Sequence, residues 1–469
     1  MKKMKNKIYR VTLLGLAVTV MQSCFVAKDY KRSELKTADL YRNEVVSKDT
    51  TSLANIAWDK IFTDSLLQGY ISKGLQNNLD IRIAMQNIVA AQATMKQGKA
   101  GYFPSLSVGT DWTHQMLSKN SQFGAFLQDR STDQYQLSGN LSWEADIWGK
   151  IRSNKRAANA AYLQTTAANQ AIKTQLIANI ATVYYQLLSV DAQIKVAEET
   201  LINRNQSVET IRALKKAGSV TEVGVKQTEA QKYATEIIIA DLKNTTIILE
   251  NTMSVLLAEP SAKMERSTFE SQNMQPEITL GVPASLLRNR PDIIAAEFNL
   301  ITAFEMTNVA KSGFYPSLTV TASGGLQSID LKEWFSANSL FANVITGLTQ
   351  PLFNKRQVKT NYEVAQANQE KAYLQFEQSL LTAGKEVSDA LAQYNNETYK
   401  ITIREKQVDA LVKASNYSDE LLTYGLANYL EVLTAKDAAL NAELSLVNNK
   451  FQQYKSVIQL YRALGGGWQ

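Results

Sequence analysis

The chain has 469 residues, 45% apolar and 20% charged, with 50 basic and 44 acidic residues, one histidine and one cysteine. A lone cysteine excludes an internal disulfide, and one cysteine with one histidine leaves too few sulfur and nitrogen ligands for an ordinary zinc site and gives no expectation of a Cys–His catalytic pair. No stretch approaches the ~20 apolar residues a membrane-crossing helix needs, so any membrane span here is a β-barrel.

The basic surplus sits at the front. Lys2, Lys3, Lys5, Lys7 and Arg10 precede the apolar run Val11 to Met21 with no acid among them, which reads as a signal peptide over residues 1–23. Beyond it, 45 basic residues face 44 acidic ones, so net charge gives nucleic-acid binding no support. Cys24 follows Met21-Gln22-Ser23. This setting resembles a bacterial lipobox, with Ser23 in keeping and Met21 and Gln22 departing from it, and implies a lipid on Cys24. Residues 24–57 are polar and mixed and read as a lipidated N-terminal tether.

A helical pattern starts near Trp58 and runs through Leu66, Leu67, Ile71, Leu75, Leu79, Ile83 and Ile88 to about Lys99, with a break expected at Asn77-Asn78. Then comes a phrase that occurs twice. Gly101-Tyr102-Phe103-Pro104-Ser105-Leu106-Ser107-Val108 returns 212 residues later as Gly313-Phe314-Tyr315-Pro316-Ser317-Leu318-Thr319-Val320. Each copy follows a helical run and opens an alternating one, the mark of a duplicated architecture. Leu106, Val108, Thr110 and Trp112 oppose Ser107, Gly109, Asp111 and Thr113. A cleaner run sets Tyr135, Leu137, Leu141, Trp143, Ala145 and Ile147 against Gln134, Gln136, Ser138, Asn140, Ser142, Glu144 and Asp146. Period two means strands with two differently solvated faces. Ser118 to Arg130 reads as the hairpin loop between them.

From Lys150 to Ala217 there is neither Gly nor Pro. Ile180, Leu187, Ile194, Leu201 and Val208 recur every seven residues, with Leu176, Val183, Val190 and Ala197 as a second seam, a heptad of packed helices. Such a run makes a helix of ~100 Å at 1.5 Å per residue. Gly218 is placed to end it in a left-handed cap. A return helix runs from about Glu222 to Leu257, stopped by Glu259-Pro260, so 58–258 forms a first repeat. Residues 259–285 form a less regular linker.

The plan then repeats over 286–464. A helix starts at Pro291-Asp292, and strands follow at Leu318 to Ser323 and about Asn338 to Phe353. A second long helix covers roughly Gln357 to Leu422, with Leu380, Val387, Tyr394, Ile401 and Val408 seven apart. Gly425 is placed like Gly218. A helix from about Leu430 reaches Leu464, and residues 465–469 are a C-terminal tail. Four strands are too few for a membrane barrel, where about eight is the minimum, so other copies of the chain must complete the sheet. Two copies make eight strands and three make twelve; pattern alone leaves both open.

The chain resembles the outer membrane efflux channels of the TolC/OprM type, in their lipoprotein branch, over nearly all its mature length. The resemblance rests on Trp58, Phe62, Asp64, Leu66 and Asn78-Leu79-Asp80; on Phe103-Pro104-Ser105-Leu106; and on Leu141 to Lys150 at a strand-to-helix junction. It extends to Val282-Pro283-Ala284-Ser285-Leu286-Leu287-Arg288-Asn289-Arg290-Pro291-Asp292-Ile293, to Gln350-Pro351-Leu352-Phe353, and to Asn428-Tyr429-Leu430-Glu431-Val432-Leu433. It implies an α+β membrane protein whose duplicated protomer gives long coiled-coil helices to a periplasmic α-barrel. Four strands per protomer would join the 12-stranded transmembrane β-barrel of a homotrimer in outer membrane lipid. Pro104, Gly149, Pro316 and Pro351 would mark the helix–strand junctions. Gly218, Ser219, Thr221, Gly425 and Tyr429 would lie at helix tips that contact a periplasmic membrane-fusion adaptor. By position Asp419 resembles the acidic ring of the periplasmic constriction; its plainer reading is a solvated helix charge, and Leu421-Leu422 depart from the family's usual pair there.

No catalytic constellation and no phosphate-cradling glycine loop is visible, and no cofactor or metal is expected. His114 reads as a strand-surface or loop-proximal residue, Gly324-Gly325 as a kink within a strand, and Trp112, Trp143, Trp148 and Tyr135 as a membrane-interface belt or simple junction packing. The implied function is a passive exit duct for small molecules such as drugs or cations, in a tripartite pump with an inner-membrane RND transporter. The alternatives are a duct for type I protein secretion or a soluble periplasmic coiled-coil adaptor; the two amphipathic strand pairs argue against the adaptor.

Overall fold

The computed structural model describes residues 26–32, 40–42, 52–126, 128–272 and 285–468. The signal peptide, Cys24, Pro276 and Val282-Pro283-Ala284 lie outside them. The chain divides into two compact units, Met1–Ser33, Ile88–Gln164 and Ala296–Phe376 forming the first, and Glu34–Asn87, Thr165–Ala295 and Glu377–Gln469 the second.

The first unit is built on one antiparallel sheet, β1 (Ser105–Met116), β2 (Ser131–Ala145), β3 (Ser317–Ser328) and β4 (Leu340–Thr349), in the order β1-β2-β3-β4. The two halves of the duplication therefore meet along β2 and β3. Register explains the alternation in the sequence. Leu106 pairs with Leu141, Thr110 with Leu137 and Trp112 with Tyr135; Leu141 pairs with Ala322, Trp143 with Val320 and Leu137 with Leu326; Ala322 pairs with Val344 and Leu318 with Leu348. Paired residues share a face, so these side chains form one apolar surface. Ser107, Asn140 and Ser323 line up with Asn343 on the other, polar face.

Strand bounds differ from the sequence pattern in three of the strands. β2 starts earlier, at Ser131, β3 runs on past Ser323 to Ser328, and β4 is shorter than 338–353. The turn Ala337–Ser339 is held by Ser339 Oγ donating to the Glu333 carbonyl at 2.6 Å, which delays β4. Phe341 and Ile345 occupy the polar face and blur the alternation there. Gly324-Gly325 marks a close backbone approach between β2 and β3. A Cβ on Gly325 would lie 1.9 Å from the Leu137 carbonyl oxygen.

In place of one helical run from Trp58 there are three helices, α1 (Trp58–Ile61), α2 (Ser65–Asn77) and α3 (Leu79–Ala100). Asp64 makes the extra break. Its carboxylate accepts from Leu66 N at 2.9 Å and Leu67 N at 3.2 Å, as an N-cap, and from Tyr184 Oη at 2.9 Å. Asn78 does the same for α3, accepting from Asp80 N and Ile81 N, while its Nδ2 donates to the Leu256 carbonyl.

Two helices of 67 residues follow the strand pairs, α4 (Lys150–Lys216) and α8 (Gln357–Thr423), each succeeded by a return helix, α5 (Glu222–Leu256) and α9 (Tyr429–Leu464). The short α6 (Leu286–Asn289) and α7 (Pro291–Ser312) open the second half. In the second unit the heptad seam is the core. Ile180, Leu187, Leu176, Val190 and Ala197 are buried, and Leu187 and Val190 pack on Leu249 of α5 with Val183, Ile194 and Leu242 around them. On α8, Leu380 and Val387 are buried but Tyr394, Ile401 and Val408 only half so.

The Arg-Pro-Asp signature has a clear packing task. Arg290 is buried, with Nη2 2.6 Å from Asp292, Nη1 2.7 Å from Glu386 of α8, and Nη1 donating to the Ala463 carbonyl of α9 at 3.1 Å. Arg462 adds a 3.1 Å contact to Glu386, and Trp468 Nε1 donates to the Asn289 carbonyl at 2.8 Å. One guanidinium thus joins the start of the second half to the middle of α8 and the C-terminal end of α9.

The N-terminal stretch read as a tether is docked where it is described. In the first unit Val26 and Ala27 are buried, Lys28 N donates to Asn308, and Arg32 pairs with Glu297. In the second, Arg42 N donates to Ser388, and the Leu40 carbonyl lies so near Gly384 that a Cβ there would be 2.5 Å away.

Candidate functional site: strand junctions and hairpin tips

The junctions belong to the first unit. After α3, Phe103 N donates to the Ala100 carbonyl and Pro104 leads into β1. Proline suits a strand start, since it withholds a donor where the ladder has not begun. Trp143 and Trp148 brace the two copies of the repeated phrase. Trp143 Nε1 donates to the Tyr102 carbonyl at 2.9 Å, and Trp148 Nε1 to the Pro316 carbonyl at 2.7 Å, with its ring stacked on Tyr315 at 4.8 Å.

Asp146 then starts α4. Its two oxygens accept from Ile151 N at 2.8 Å and Arg152 N at 2.9 Å, and Lys150 Nζ meets Glu144 at 2.9 Å. Gly149 has φ 78°, and a Cβ there would stand 2.8 Å from Ala27, so the notch both turns the chain and receives the N-terminal stretch. The second junction lacks this glycine. Beyond Pro351, Lys355 and Arg356 take φ of 54° and 66°, left-handed positions that cost a side-chain-bearing residue about 1–2 kcal/mol each. Phe353 is fully exposed, and Leu352 and Phe103 largely so, giving an apolar rim at the junction end of the sheet, while the exposed Trp112 lies farther along β1 toward the hairpin.

The tips belong to the second unit and are built alike. Gly218 (φ 79°) and Gly425 (φ 70°) each follow a 67-residue helix. Ser219 N donates to the Leu214 carbonyl and Gly218 N to Lys215; Leu426 N donates to Leu421 and Gly425 N to Leu422. This is the paired closure of a Schellman cap, used twice. Thr221 stands at the N-cap of α5 and its carbonyl accepts from Gly224 N at 3.1 Å. Asn428 caps α9 through Leu430 N and Glu431 N.

Tyr429 lies across Gly224, where a Cβ would sit 3.3 Å from its ring, and its hydroxyl meets Gln227 at 2.8 Å. The two tips are therefore in contact. Val223, Tyr424, Leu426 and Leu430 remain exposed around them. Glu229 is held down to about 2 by Lys226 and Arg212, each 2.8 Å away.

Asp419 does not stand alone. Its Oδ2 is 2.7 Å from Lys436 Nζ, which also donates to Ser207 at 2.9 Å, and beside it Arg204 pairs with Asp437. These partners are not legible in the sequence, because Arg204 and Asp437 lie 233 positions apart. A basic residue inside an otherwise apolar seam was the available signal. His114 on β1 meets Asp133 across the hairpin at 2.9 Å. Among the described residues no group of three or more metal-ligating side chains is gathered, and no helix is long and apolar enough to cross a membrane.

The profile described as "Outer membrane efflux protein" matches residues 70–259 and 282–466, so both halves of the duplication are covered. The chain is 28% identical to the "Cation efflux system protein CusC" of Escherichia coli O6:H1 over 462 residues, covering 97% of this chain and 98% of that one. It is 28% identical to the "Solvent efflux pump outer membrane protein SrpC" of Pseudomonas putida over 418 residues, 87% of each. A crystal structure of CusC, described in terms of folding and transmembrane channel formation, superposes with a TM-score of 0.83 at 27% identity, covering 94% of this chain and 99% of that one. The chain belongs to the outer membrane efflux protein family and is an efflux duct of the outer membrane.

Proposed function

We propose that three copies of the chain close one duct and pass small molecules without doing chemistry on them. The observation that carries this is the sheet. It has four strands, one apolar face and one polar face, and two open edges, β1 and β4. An unpaired edge in lipid costs several kcal/mol for each bare backbone group, so the sheet is stable there only when closed. Three copies supply twelve strands, with the apolar face toward lipid and the polar face lining the pore. The long helices, half-exposed along part of α8, pair with those of neighbouring copies.

In this reading Cys24 carries the lipid. The tips at Gly218, Ser219, Thr221, Gly425 and Tyr429 receive a periplasmic membrane-fusion adaptor, and an inner-membrane RND-type transporter supplies the energy. Asp419 narrows the periplasmic end, held by Lys436 until the tips separate. The cargo is a drug-like molecule or a cation, selected by the transporter more than by the duct.

Purified protein should run as a heat-resistant trimer in detergent and open conducting channels in planar bilayers. A monomer without conductance would overturn the proposal. Asp419→Ala should alter conductance or cation selectivity; unchanged values across several salt concentrations would remove it from the constriction.

A further inference from the structure

Within the second unit, near the tips, a cleft of about 540 Å³ opens between α4, α5, α8 and α9. Arg204 lines it at 2% exposure. Its Nη2 donates to Asp437, but neither Nε nor Nη1 has a hydrogen-bond partner among the described residues. A buried guanidinium N–H left unpaired costs about 1–3 kcal/mol. Two such donors on one side chain that faces an open cleft call for an acceptor in that cleft.

We infer that the cleft binds a small oxyanion, a carboxylate or phosphate group, with Arg204 as its principal donor. Planar N–H donors on a fixed, always-charged group match such oxygens better than any other side chain does. The neighbouring charges permit it. Asp437 is engaged by Arg204 Nη2, and Asp419 is neutralised by Lys436 at 2.7 Å. Ser207, Ser415 and Asn416 add polar groups from α4 and α8. Glu443 is the acid on the wall that opposes an anion; burial, then Glu199, raises its pKa, so opposition eases as pH falls. An anion bridging Arg204 to the α8 wall would brace the two helix hairpins of the protomer against each other.

The test is calorimetric titration of the full-length protein in detergent with sodium phosphate and, separately, sodium succinate, against sodium chloride of equal ionic strength at fixed pH. Saturable binding of either probe beyond the chloride control is expected, and which one binds identifies the group. Arg204→Lys keeps the charge but loses the fork, and should weaken binding about tenfold or more. Ser415→Leu fills the cleft from α8 without touching the buried ion pair, should also abolish binding, and carries the test if Arg204→Lys fails to fold. No binding beyond chloride, as from a cleft holding only water, would overturn the inference. So would equal binding by the wild type and both variants.

Discussion

Arg290→Met is the most direct probe of what holds the second unit together. Methionine keeps much of the stem volume and removes the donors to Asp292, Glu386 and the Ala463 carbonyl. Removing one partner of a buried ion pair costs about 3–5 kcal/mol. Asp292 is partly exposed and Glu386 keeps Arg462 at 3.1 Å, which places the cost near the lower end, about 3 kcal/mol. That is roughly a hundredfold shift in local opening, at 1.36 kcal/mol per tenfold. Hydrogen exchange over Val457 to Leu464 of α9 reads it directly, and loss of the Trp468 contact to Asn289 offers a fluorescence signal. A change below about fivefold would refute the idea that this cluster, rather than apolar packing alone, secures the helix end.

The same cluster has a pH signature. Burial raises the Asp292 carboxyl, but the Arg290 hydrogen bond and charge outweigh it and hold the group below its ordinary range. A carboxylate lowered in the folded state contributes stability above its unfolded value, near ~3.9, and loses that contribution as pH falls through the folded value. Wild-type protection of α9 should therefore weaken below about pH 4, and in Arg290→Met that acid dependence should vanish.

Gly325→Val should prevent β2 and β3 from pairing, since even a Cβ would lie 1.9 Å from the Leu137 carbonyl oxygen; a normal yield of conducting channels would contradict this. Trp148→Phe keeps the stack on Tyr315 but loses the hydrogen bond to Pro316, about 1 kcal/mol, which thermal unfolding should register as a small drop without loss of conductance. Gly224→Leu should push Tyr429 off α5 and reduce adaptor capture in a pull-down while leaving the sheet unchanged; full capture would separate this contact from docking.

Patterns with a short period were legible from sequence. The alternation of Leu106 to Trp112 and of Tyr135 to Ile147 located β1 and β2, because residues two apart in a strand share a face. β4 was less clear, since Phe341 and Ile345 break the alternation on the polar face. Helix length followed from the missing Gly and Pro between Lys150 and Ala217, and helix end from Gly218. The break at Asp64 was not legible, because a capping carboxylate looks like any other acid until Leu66 and Leu67 turn their N–H groups toward it.

Sequence by itself determined the duplication, the strand–helix order, the junction prolines and the tip glycines, all of which are local rules of backbone and periodicity. The tertiary structure alone decided which charges meet. Arg204 with Asp437, Lys436 with Asp419, and Arg290 with Glu386 join positions on different helices, and which of many facing charges pair depends on the rotation of each long helix about its axis. That rotation is set by apolar packing along the whole seam, a long-range sum that no single stretch of sequence contains.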